Sequence, residues 1–468
     1  MKKTFIGPRL RQLRRQRKET QAEMAKTIGV SASYVNMLEN NQRSLSVSVL
    51  MAIEQAYQVD WRGLVSDESA TTLTELRTVF QDPVFSGATP DLQELRSVID
   101  HAPTVVHNLL QIYRSHRMTL DRLMRSQAGQ GSEDLLASSP ESIIHDFFRD
   151  HKNHFPELER AAERLRQEEP CGSDEVLLVL KNRLTQKHGI SVRIKSIDDM
   201  SRALRVFNRE ISALYLSEAL DHQNRTFQLA HMLCLLELND VIAQLTAESG
   251  ITSPSGLTRC HVELANYFAA AFLMPYETFR EAAERTRYDV DRLAATFGVS
   301  FEQVCHRLTT LQRKGSEGVP FFFLRIDKAG NVTKRFNATS FNLAEYGGSC
   351  PVWNIHTTFR APGVVHPQLV ELPDGERFFT VSRTTDRPVY SYETQDRRLA
   401  LALGCSIEHA DRIEYANQFN LAAERLFSPI GISCHLCPRA SCSQRAHQPL
   451  VVELFIDTDR RGDTRYES

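Results

Sequence analysis

Long apolar runs and cysteines are both scarce in this chain of 468 residues. The longest uninterrupted apolar run, Tyr267–Met274, has eight residues, whereas a helix needs about 20 to cross a bilayer. Nine cysteines are too few for a disulfide-stabilised scaffold of this length. These two absences argue against a membrane protein and a disulfide-rich one, so clustered cysteines are better interpreted as metal or redox ligands.

The N-terminal residues also lack the apolar core of a secretory signal. The stretch MKKTFIGPRLRQLRRQRKE contains no apolar segment of about 7–15 residues after its lysines. The sequence therefore predicts a cytoplasmic protein. Hydrophobic residues make up 41% of the chain and charged residues 24%, which is ordinary for globular domains, and this length predicts about three of them.

Charge is distributed unevenly along the chain. Residues 1–60 contain ten Lys or Arg and five Asp or Glu, a local net charge of +5, while the whole chain has a net charge of −2. A basic module on an acidic body indicates that one end meets a polyanion such as nucleic acid. A solvated basic helix face is the alternative interpretation.

Composition and periodicity predict five consecutive regions. These are a helix-turn-helix domain over 1–65, a helical connector and linker over 66–142, a second globular domain over 143–315, a strand-rich domain over 316–455 and a tail over 456–468. The expected fold class is multi-domain, mainly α in the N-terminal and middle regions and α+β in the C-terminal region. Strands after Pro320 are separated by Gly, Asn and Pro turns.

The connector reads as a loop over 62–91, followed by two helices separated at Pro103, which suits a first helical turn. An apolar stripe on the second helix contains Val106, Leu109, Tyr113, Leu120, Leu123 and Met124. The stripe predicts either pairing of two subunits or packing within its own domain. The Gly- and Ser-rich segment Ser126–Ser142 is predicted to be a linker.

Residues 20–43, TQAEMAKTIGVSASYVNMLENNQR, have the pattern of a helix-turn-helix. Thr20 and Glu23 form a predicted capping box, and Gly29 ends the first of the two helices. Ser31 begins the second helix, which in this arrangement enters the DNA major groove. The alternative is a generic four-helix bundle. The segment resembles the repressor-like, Cro-like helix-turn-helix family over residues 7–60, whose members bind palindromic sites as dimers.

The candidate DNA contacts lie on these two helices and just after them. Polar side chains near the start of the second helix are expected to face bases, and side chains at the edges are expected near phosphates. The base-facing candidates are Ser31, Ser33, Tyr34 and Asn36, and the phosphate candidates are Gln21 and Arg43.

The middle region resembles a metallopeptidase of the ImmA/IrrE-like family that has lost its metal. Zinc peptidases of this kind need two histidines four residues apart with a glutamate between them. His231 stands at the first position, but Met232 replaces the glutamate and Leu235 replaces the second histidine. Glu263 stands where a third ligand is expected. We predict a retained fold without catalysis, in which His231 and Glu263 form a buried hydrogen-bonded pair.

Near the C-terminus, three cysteines follow the pattern C-x2-C-x4-C. Cys434, Cys437 and Cys442 can converge on one soft-metal centre. A zinc ion would take His447 as its fourth ligand, whereas a four-iron cluster needs a fourth thiolate, for which Cys405 is the choice. Cys350, in GGSCPVW, is a further candidate. Unmetallated thiols are the remaining alternative.

These three modules, in this order, resemble the short-chain fatty acyl transcriptional regulators. The most specific matches are GGSCPVWNIHTTF (347–359), GCSIEHA (404–410) and PIGISCHLCPRASCSQRA (429–446). The resemblance implies a DNA-binding regulator of propionate or acetate metabolism, in the methylcitrate or glyoxylate pathway. It also implies that the protein senses a short-chain acyl-CoA and holds a [4Fe–4S] cluster, with zinc as the alternative. A homodimer or higher homo-oligomer is expected.

The sequence is compatible with three functions from different classes. The first is an acyl-CoA-responsive transcription factor without enzyme activity, in which Arg325, Lys334 and Arg335 are candidates for binding the phosphates of coenzyme A. The second is a transcription factor whose iron–sulfur cluster senses redox state. The third is a zinc peptidase acting on a repressor, which the missing glutamate and histidine argue against.

Overall fold

The protein is described from a computed structural model. The structure describes residues 7–17, 19–40, 42–43, 45–57, 68–80, 82, 85, 90–127, 140–341, 349–392, 397–431, 433–449 and 454. The chain divides into two compact units, Met1–Leu136 and Ala137–Ser468. Most of the predicted linker, at 128–139, and the whole predicted tail, at 456–468, lie outside the described residues.

The first unit begins with four short helices. They are α1 (Gly7–Gln16), α2 (Gln21–Thr27), α3 (Ala32–Glu39) and α4 (Val47–Tyr57). The predicted capping box is confirmed: the Thr20 hydroxyl accepts from the backbone N–H of Glu23, whose carboxylate accepts from the backbone N–H of Thr20. Gly29 has φ +70°, a left-handed conformation that glycine adopts without strain, and turns the chain towards α3.

Apolar residues from all four helices form one small core. The pattern of apolar residues in 7–60 predicts a core of Ala25, Ile28, Val30, Val35, Leu38, Leu50 and Ile53. All of these are buried except Val30 and Leu50, which are half-buried. The buried set is Leu10, Leu13, Met24, Ala25, Ile28, Val35, Leu38, Val49, Ile53 and Tyr57. The helix-turn-helix is therefore held by the hydrophobic packing of about ten side chains.

The connector contains three helices, α5 (Glu68–Phe80), α6 (Leu92–His101) and α7 (Pro103–Gln127). The predicted loop over 62–91 is wrong between residues 68 and 80. Leu76 and Val79 recur at helical spacing and are buried against Leu95, Val106 and Leu110, so tertiary packing supports a helix in a segment rich in Ser and Thr. The predicted break at Pro103 is confirmed.

The apolar stripe on α7 packs, where its side chains are described, within its own unit. Val106 is buried in the cluster with Leu76 and Val79, and Leu109 and Tyr113 pack against the same cluster. The side chains of Leu120, Leu123 and Met124 lie outside the described set. Pairing of two subunits through this helix therefore stays a prediction.

The second unit begins with helices around a small sheet. The helices are α8 (Pro140–Asp150), α9 (Pro156–Glu168), α10 (Val176–His188), α11 (Ile197–Met200), α12 (His222–Glu237), α13 (Asn239–Ala247), α14 (Pro254–Leu273), α15 (Tyr276–Arg285), α16 (Val290–Phe297) and α17 (Phe301–Leu308). The strands are β1 (Ser191–Lys195), β2 (Arg205–Asn208) and β3 (Ala213–Ser217) in the order β1-β3-β2, with β1 parallel and β2 antiparallel to β3. The middle region is mainly α, as expected, and it also contains this small three-stranded sheet.

A six-stranded sheet dominates the remainder of this unit. Its strands are β4 (Phe322–Ile326), β5 (Val332–Asn337), β6 (His366–Glu371), β7 (Arg377–Asp386), β8 (Arg398–Ser406) and β9 (Ser428–Pro429), in the order β5-β4-β8-β7-β6-β9. Short 3₁₀ helices span Asn354–Arg360, Ile407–Arg412, Glu414–Ala416, Glu424–Leu426 and Cys434–Leu436. The predicted strand-rich character of the C-terminal region is confirmed.

The two faces of this sheet bury different cores, because side chains alternate along each strand. On one face, Leu401, Leu403 and Cys405 of β8 join the core formed with the helices. On the other face, Ala400 and Ala402 join a second core that includes Cys350 and Trp353. Gly404 pairs with Phe322, whose ring lies so close that a Cβ at 404 would come within 2.4 Å of it.

One continuous core runs from Ile144 to Phe427, across the boundary predicted between 315 and 316. Inside it lies a buried ion pair: Arg307 Nη1 and Nη2 donate to Glu159 Oε1 and Oε2 at 2.6 and 3.0 Å. Tyr267 donates to Glu159 Oε1 at 2.6 Å, and Arg307 Nε donates to the Met274 carbonyl at 3.0 Å. Burial alone would raise the pKa of Glu159, but Arg307 and Tyr267 hold it below its ordinary value.

Within the described ranges, no single helix is long and apolar enough to cross a membrane. Only the α12–α13 pair, which is bent by 79°, passes such a test, by length and composition alone. Much of α12 is buried in the protein core.

Replacing Glu159 with Gln should destabilise the second unit strongly. The substitution leaves the Arg307 guanidinium buried without its counter-charge, and breaking a buried pair in this way typically costs about 3–5 kcal/mol. Thermal and urea unfolding of the full-length protein measures the loss. The exposed pair Arg160–Glu157 provides the control, because Glu157→Gln should change stability by less than about 1 kcal/mol. Equal stability of both variants would contradict the importance of the buried pair.

Candidate functional site

Helix α3 presents exposed polar side chains at its N-terminal half. Ser31, Ser33 and Asn36 are exposed, and the Ser31 hydroxyl caps the helix by accepting from the backbone N–H of Tyr34 at 3.1 Å. Tyr34 is half-buried and packs against the domain core. Arg43 is exposed beyond the helix. The exposed groups have donors and acceptors suited to bases and phosphates, whereas Tyr34 also serves the core.

Gln21 ties α2 to α3. Its side-chain amide donates to Glu39 Oε2 at 2.8 Å and to Asn36 Oδ1 at 3.3 Å. Glu39 is buried and accepts from Arg14 Nε at 2.6 Å. Burial would raise the pKa of Glu39, but the hydrogen bonds from Arg14 and Gln21 hold it below its ordinary value. The sequence alone does not indicate the Arg14–Glu39 ion pair, because its members lie 25 positions apart.

His231 bonds an arginine in the middle region. Arg205 Nη1 donates to His231 Nδ1 at 2.8 Å and to the Gln228 carbonyl at 3.2 Å. Burial, together with the charge of Arg205, lowers the pKa of His231 to about 4, so the ring is neutral near pH 7. A guanidinium at this nitrogen occupies the lone pair and repels a metal cation approaching it.

The predicted pairing of His231 with Glu263 is corrected by the structure, which gives the two residues separate partners. Glu263 Oε2 lies 3.4 Å from Lys334 Nζ, and the Asn266 amide donates to the same oxygen at 3.4 Å. Both residues lie on helices, but Arg205 from β2 bonds His231 in place of Glu263. A strand outside the motif thus decides the chemistry of this histidine.

A large pocket lies between helices α12, α14 and α17 and the β4–β5 hairpin. Its volume is about 410 Å³, within the roughly 300–1,000 Å³ typical of ligand pockets. Its lining mixes apolar and charged side chains: Leu204, Leu220, Asp221, Asn224, Phe227, Gln228, Asn266, Ala270, Ser300, Glu302, Gln303, His306, Phe323, Arg325, Lys334, Thr385, Asp386, Arg387 and Pro388. Such a mixture suits a ligand with both an apolar and an anionic part.

Two of the three predicted ligand-binding cations line this pocket. Arg325 pairs with Glu302 at 2.6 Å, and Lys334 pairs with Glu263. Arg335 instead pairs across the ladder with Leu324, on the other face of the hairpin, and does not line the pocket.

Sequence reasoning missed Arg387, which also lines the pocket. Burial lowers its pKa, the nearby carboxylate of Glu302 partly offsets this shift, and the charge of Arg325 lowers the pKa further. Among the side chains that the structure describes, Arg387 has no salt-bridge partner, unlike Arg325 and Lys334. Arg387 follows the end of β7, where no local motif marks it. It is therefore the cation in this pocket best able to take an anionic group.

A second pocket brings four cysteines together. The pocket is small, with a volume of about 10 Å³, and it is lined by Cys350, Cys434, Cys437, Cys442, Pro351, Pro429, Gly431, Ser433, Arg439 and Arg445. Burial raises the pKa of the Cys350 thiol, and backbone N–H groups of Gly431 and Val352 partly offset this shift by hydrogen bonding to the sulfur. Three of the four predicted metal ligands are thus neighbours, and the fourth neighbour is Cys350.

Cys405 lies elsewhere. It pairs with Phe379 in the β7–β8 ladder and belongs to the core on the helix-facing side of the sheet, whereas Cys350 belongs to the core on the other side. The two thiols are therefore separated by the sheet itself. His447, the proposed fourth zinc ligand, stacks on His435 with ring centroids 4.4 Å apart and does not line the pocket.

The backbone at Gly431 and the side chain of Arg445 lie beside the thiols of the cysteine pocket. A Cβ at Gly431 would come within 2.8 Å of the Cys437 sulfur, so the backbone lies directly against a thiol. Arg445 is 6% exposed, yet its Nε and Nη1 have no partner in the described structure, while its Nη2 donates to the Arg439 carbonyl. Unpartnered buried donors beside four thiols suit an anionic group, as four thiolates around a cluster provide.

No group of three or more potential ligands among the described residues is placed to hold a single metal ion. The four thiols surround a pocket rather than closing on one point, and a four-iron cluster is broader than one ion and is held by four thiolates. The donor set therefore fits such a cluster in kind and number.

Family models match three successive parts of the chain. A helix-turn-helix model matches residues 10–64, an IrrE N-terminal-like domain model matches residues 185–309, and a model of the short-chain fatty acyl coenzyme A regulator C-terminal domain matches residues 310–466.

The similar proteins cover the whole chain. The propionyl-CoA carboxylase regulator of Cereibacter sphaeroides is 38% identical over 99% of both chains. The transcriptional regulator PrpR of Mycobacterium tuberculosis is 36% identical over 100% of this chain and 96% of its own length. The chain belongs to the short-chain fatty acyl coenzyme A regulators. These matches confirm the family that the sequence motifs indicate, and the protein is an acyl-CoA-responsive DNA-binding regulator.

A solved structure shares the fold of this chain. A transcriptional regulator from Mycobacterium tuberculosis superposes with a TM-score of 0.67 at 37% identity, covering 71% of this chain and all of that one. In the regulator described here, local motifs find the helix-turn-helix and three cysteines. Cys350, Arg205 and Arg387 join their sites only through the tertiary fold, and the GGSC motif was the one sequence signal for any of them.

Proposed function

We propose that this regulator binds operator DNA through residues 7–57 and changes its affinity for that DNA when a short-chain acyl-CoA occupies the large pocket. The observation that carries the proposal is the pocket itself, which combines apolar walls with Arg387, a cation that has no salt bridge to another described side chain. Coenzyme A thioesters have an apolar acyl group at one end and phosphates at the other, so both parts of the lining are used.

The names of its relatives support a role in propionate or acetate metabolism, through the methylcitrate or glyoxylate pathway. One relative is named for propionyl-CoA carboxylase, an enzyme whose substrate is a short-chain acyl-CoA. Operators of this helix-turn-helix class are palindromic, so the regulator acts as a homodimer or larger homo-oligomer in the cytoplasm. Two copies place two α3 helices one turn of DNA apart.

The regulator is proposed to have no peptidase activity. Catalytic zinc in an HExxH site requires two histidines and a glutamate base, and here His231 bonds Arg205 instead. The retained fold supplies the wall of the ligand pocket, to which α12 and α14 contribute Phe227, Gln228, Asn266 and Ala270. Zinc-dependent cleavage of a protein substrate by the purified chain would contradict this assignment.

The cysteine pocket is proposed to hold a [4Fe–4S] cluster through Cys350, Cys434, Cys437 and Cys442, with zinc as the alternative. When bound, such a cluster supplies one-electron redox chemistry. Cys350 comes from a segment about 80 positions before the other three, so their joint ligation would fix the C-terminal segment against the sheet. Arg445 offsets the negative charge of four thiolates. These features support iron–sulfur redox sensing as a second candidate function.

Asn36→Ala and Arg43→Ala should affect DNA binding in different ways. Asn36 is exposed on α3, and loss of a base contact should cost about 1–3 kcal/mol of discrimination between operator and unrelated DNA. Arg43→Ala should weaken binding to all sequences and reduce the salt dependence by about one counterion. Fluorescence anisotropy at several salt concentrations measures both effects. Gln55→Ala, an exposed amide on α4, is the control, and an unchanged footprint for Asn36→Ala would contradict the base-facing assignment.

Arg387→Gln should weaken binding of propionyl-CoA about tenfold to a hundredfold, because one charge-assisted hydrogen bond contributes about 1.5–3 kcal/mol. Calorimetry on the full-length protein measures the change, and anisotropy with operator DNA reports whether the ligand effect on DNA affinity is lost in parallel. Arg335→Gln, on the face of the β4–β5 hairpin that does not line the pocket, is the control with normal binding. Unchanged affinity in Arg387→Gln, or no binding of any acyl-CoA to the wild type, would contradict the proposal.

Cys350→Ser should remove the cluster and its visible absorbance, whereas Cys405→Ser should retain them. The reason is that the sheet separates Cys405 from the other thiols, so its substitution perturbs only apolar packing. Anaerobic purification, absorption spectroscopy and iron, sulfide and zinc analysis measure occupancy. A brown protein that bleaches with Cys405→Ser would contradict the Cys350 assignment. A colourless zinc protein that loses its metal with His447→Ala would favour the zinc alternative.

A further inference from the structure

A buried histidine in the large pocket has a ring nitrogen without a partner. His306 lies on α17, is 8% exposed and lines the pocket. Its Nε2 has no hydrogen-bond partner in the part of the chain that the structure describes. A buried polar atom without a partner typically costs about 1–3 kcal/mol. Such an atom at the wall of a ligand pocket indicates that the ligand supplies the missing bond.

The ring of His306 is held firmly in place. It packs edge-on against Phe336, with centroids 4.2 Å apart, and contacts Phe323 from 6.3 Å. The helix that carries it begins with a Ser300–Gln303 capping box, and the next residue, Arg307, is anchored by its buried ion pair with Glu159. A ring fixed in this way presents its nitrogen in one direction, which is the preorganisation that selective recognition requires.

His306 is uncharged at neutral pH. Burial lowers its pKa well below the ordinary value, and the charges of Lys334, Arg307 and Arg325 act in the same direction. Glu302 also lines the pocket but is paired with Arg325. A neutral imidazole has one N–H donor, so its natural partner in the ligand is an uncharged acceptor such as a carbonyl oxygen, while phosphates suit the cations.

The surroundings of His306 are apolar on one side and polar on the other. Phe323 and Phe336 pair across the β4–β5 ladder, and the next pair on the same face is Arg325 with Lys334. The imidazole therefore sits at the apolar end of this hairpin, next to walls that suit a short acyl chain. A carbonyl attached to a short apolar chain is the thioester end of an acyl-CoA.

We propose that His306 donates its Nε2–H to the thioester carbonyl oxygen of the bound acyl-CoA and thereby allows the regulator to distinguish acyl-CoA from free coenzyme A. This inference rests on the proposed function and names the specificity-determining residue in that pocket. A site built to hydrogen-bond a ligand group rejects analogues that lack it, because its own polar atom then stays unpaired.

The test compares three ligands on the full-length protein: propionyl-CoA, its thioether analogue S-propyl-CoA, and free coenzyme A. The thioether keeps the chain and removes only the carbonyl oxygen. The wild type should prefer propionyl-CoA over the thioether by about tenfold in calorimetry. His306→Phe, which keeps a ring of similar size without a donor, should abolish this preference while the affinity for the thioether and for coenzyme A stays within about twofold.

A spectroscopic measurement separates a hydrogen bond from a packing effect. Propionyl-CoA labelled with ¹³C at the carbonyl should show a lower carbonyl stretching frequency when bound to the wild type than when bound to His306→Phe. His306→Gln restores a donor and should recover part of both the shift and the preference. His366→Phe is the matched control, because the Nε2 of His366 also lacks a described partner but lies outside this pocket.

Each other outcome overturns the proposal in a recognisable way. Equal weakening of all three ligands in His306→Phe would mean that the histidine binds a part common to every coenzyme A molecule. An unchanged preference would mean that it takes no part in recognition. If wild-type protein binds none of the three ligands, the proposed function itself fails, and the carbonyl assignment fails with it. Thermal melting of each variant verifies its folding, and His306→Gln decides the matter if His306→Phe does not fold.

Discussion

The alternation of side chains along the six-stranded sheet determines where both sites of the second unit lie. Odd-numbered residues of β8 from 401 to 405 face the helices, and even-numbered ones face the core that contains Cys350. A strand offers only these two directions. The sheet therefore separates the cysteine pocket from the helix-facing core, while its hairpin β4–β5 and the end of β7 supply cations to the ligand pocket. Both sites are attached to one rigid element.

The middle region keeps an IrrE-like fold in which the histidine of the helical motif has a different partner. Its helices keep their packing, with α12 and α14 buried over much of their length, but Arg205 occupies the nitrogen of His231. The buried pair Arg307–Glu159 then joins α17 to α9 inside the same core. Because α17 also carries His306, the stability of the fold and the position of this pocket-lining histidine depend on neighbouring residues of one helix.

Arginines of the second unit differ in their partners. Every side-chain nitrogen of the buried Arg307 has an acceptor, from Glu159, Met274 or Thr310, and this residue stabilises the fold. Arg445 is also buried, but its Nε and Nη1 have no partner among the described residues. Arg387 is half-buried beside the ligand pocket, with Glu302 as a neighbouring charge. A buried charge without a counter-charge is costly, so Arg445 differs in kind from Arg307.

The sequence by itself determined the features that depend on short spacing. The capping box at Thr20, the turn at Gly29, the break at Pro103 and the C-x2-C-x4-C pattern are local, and each recurs in the structure. The tertiary structure decided what depends on distant partners. Cys350 rather than Cys405 lies beside the cysteine trio because β8 turns Cys405 to the opposite face, and Arg205 reaches His231 from a strand 26 positions earlier. The helix at Glu68–Phe80 is likewise stabilised by packing on α6 and α7, which the Ser- and Thr-rich composition of the segment does not reveal.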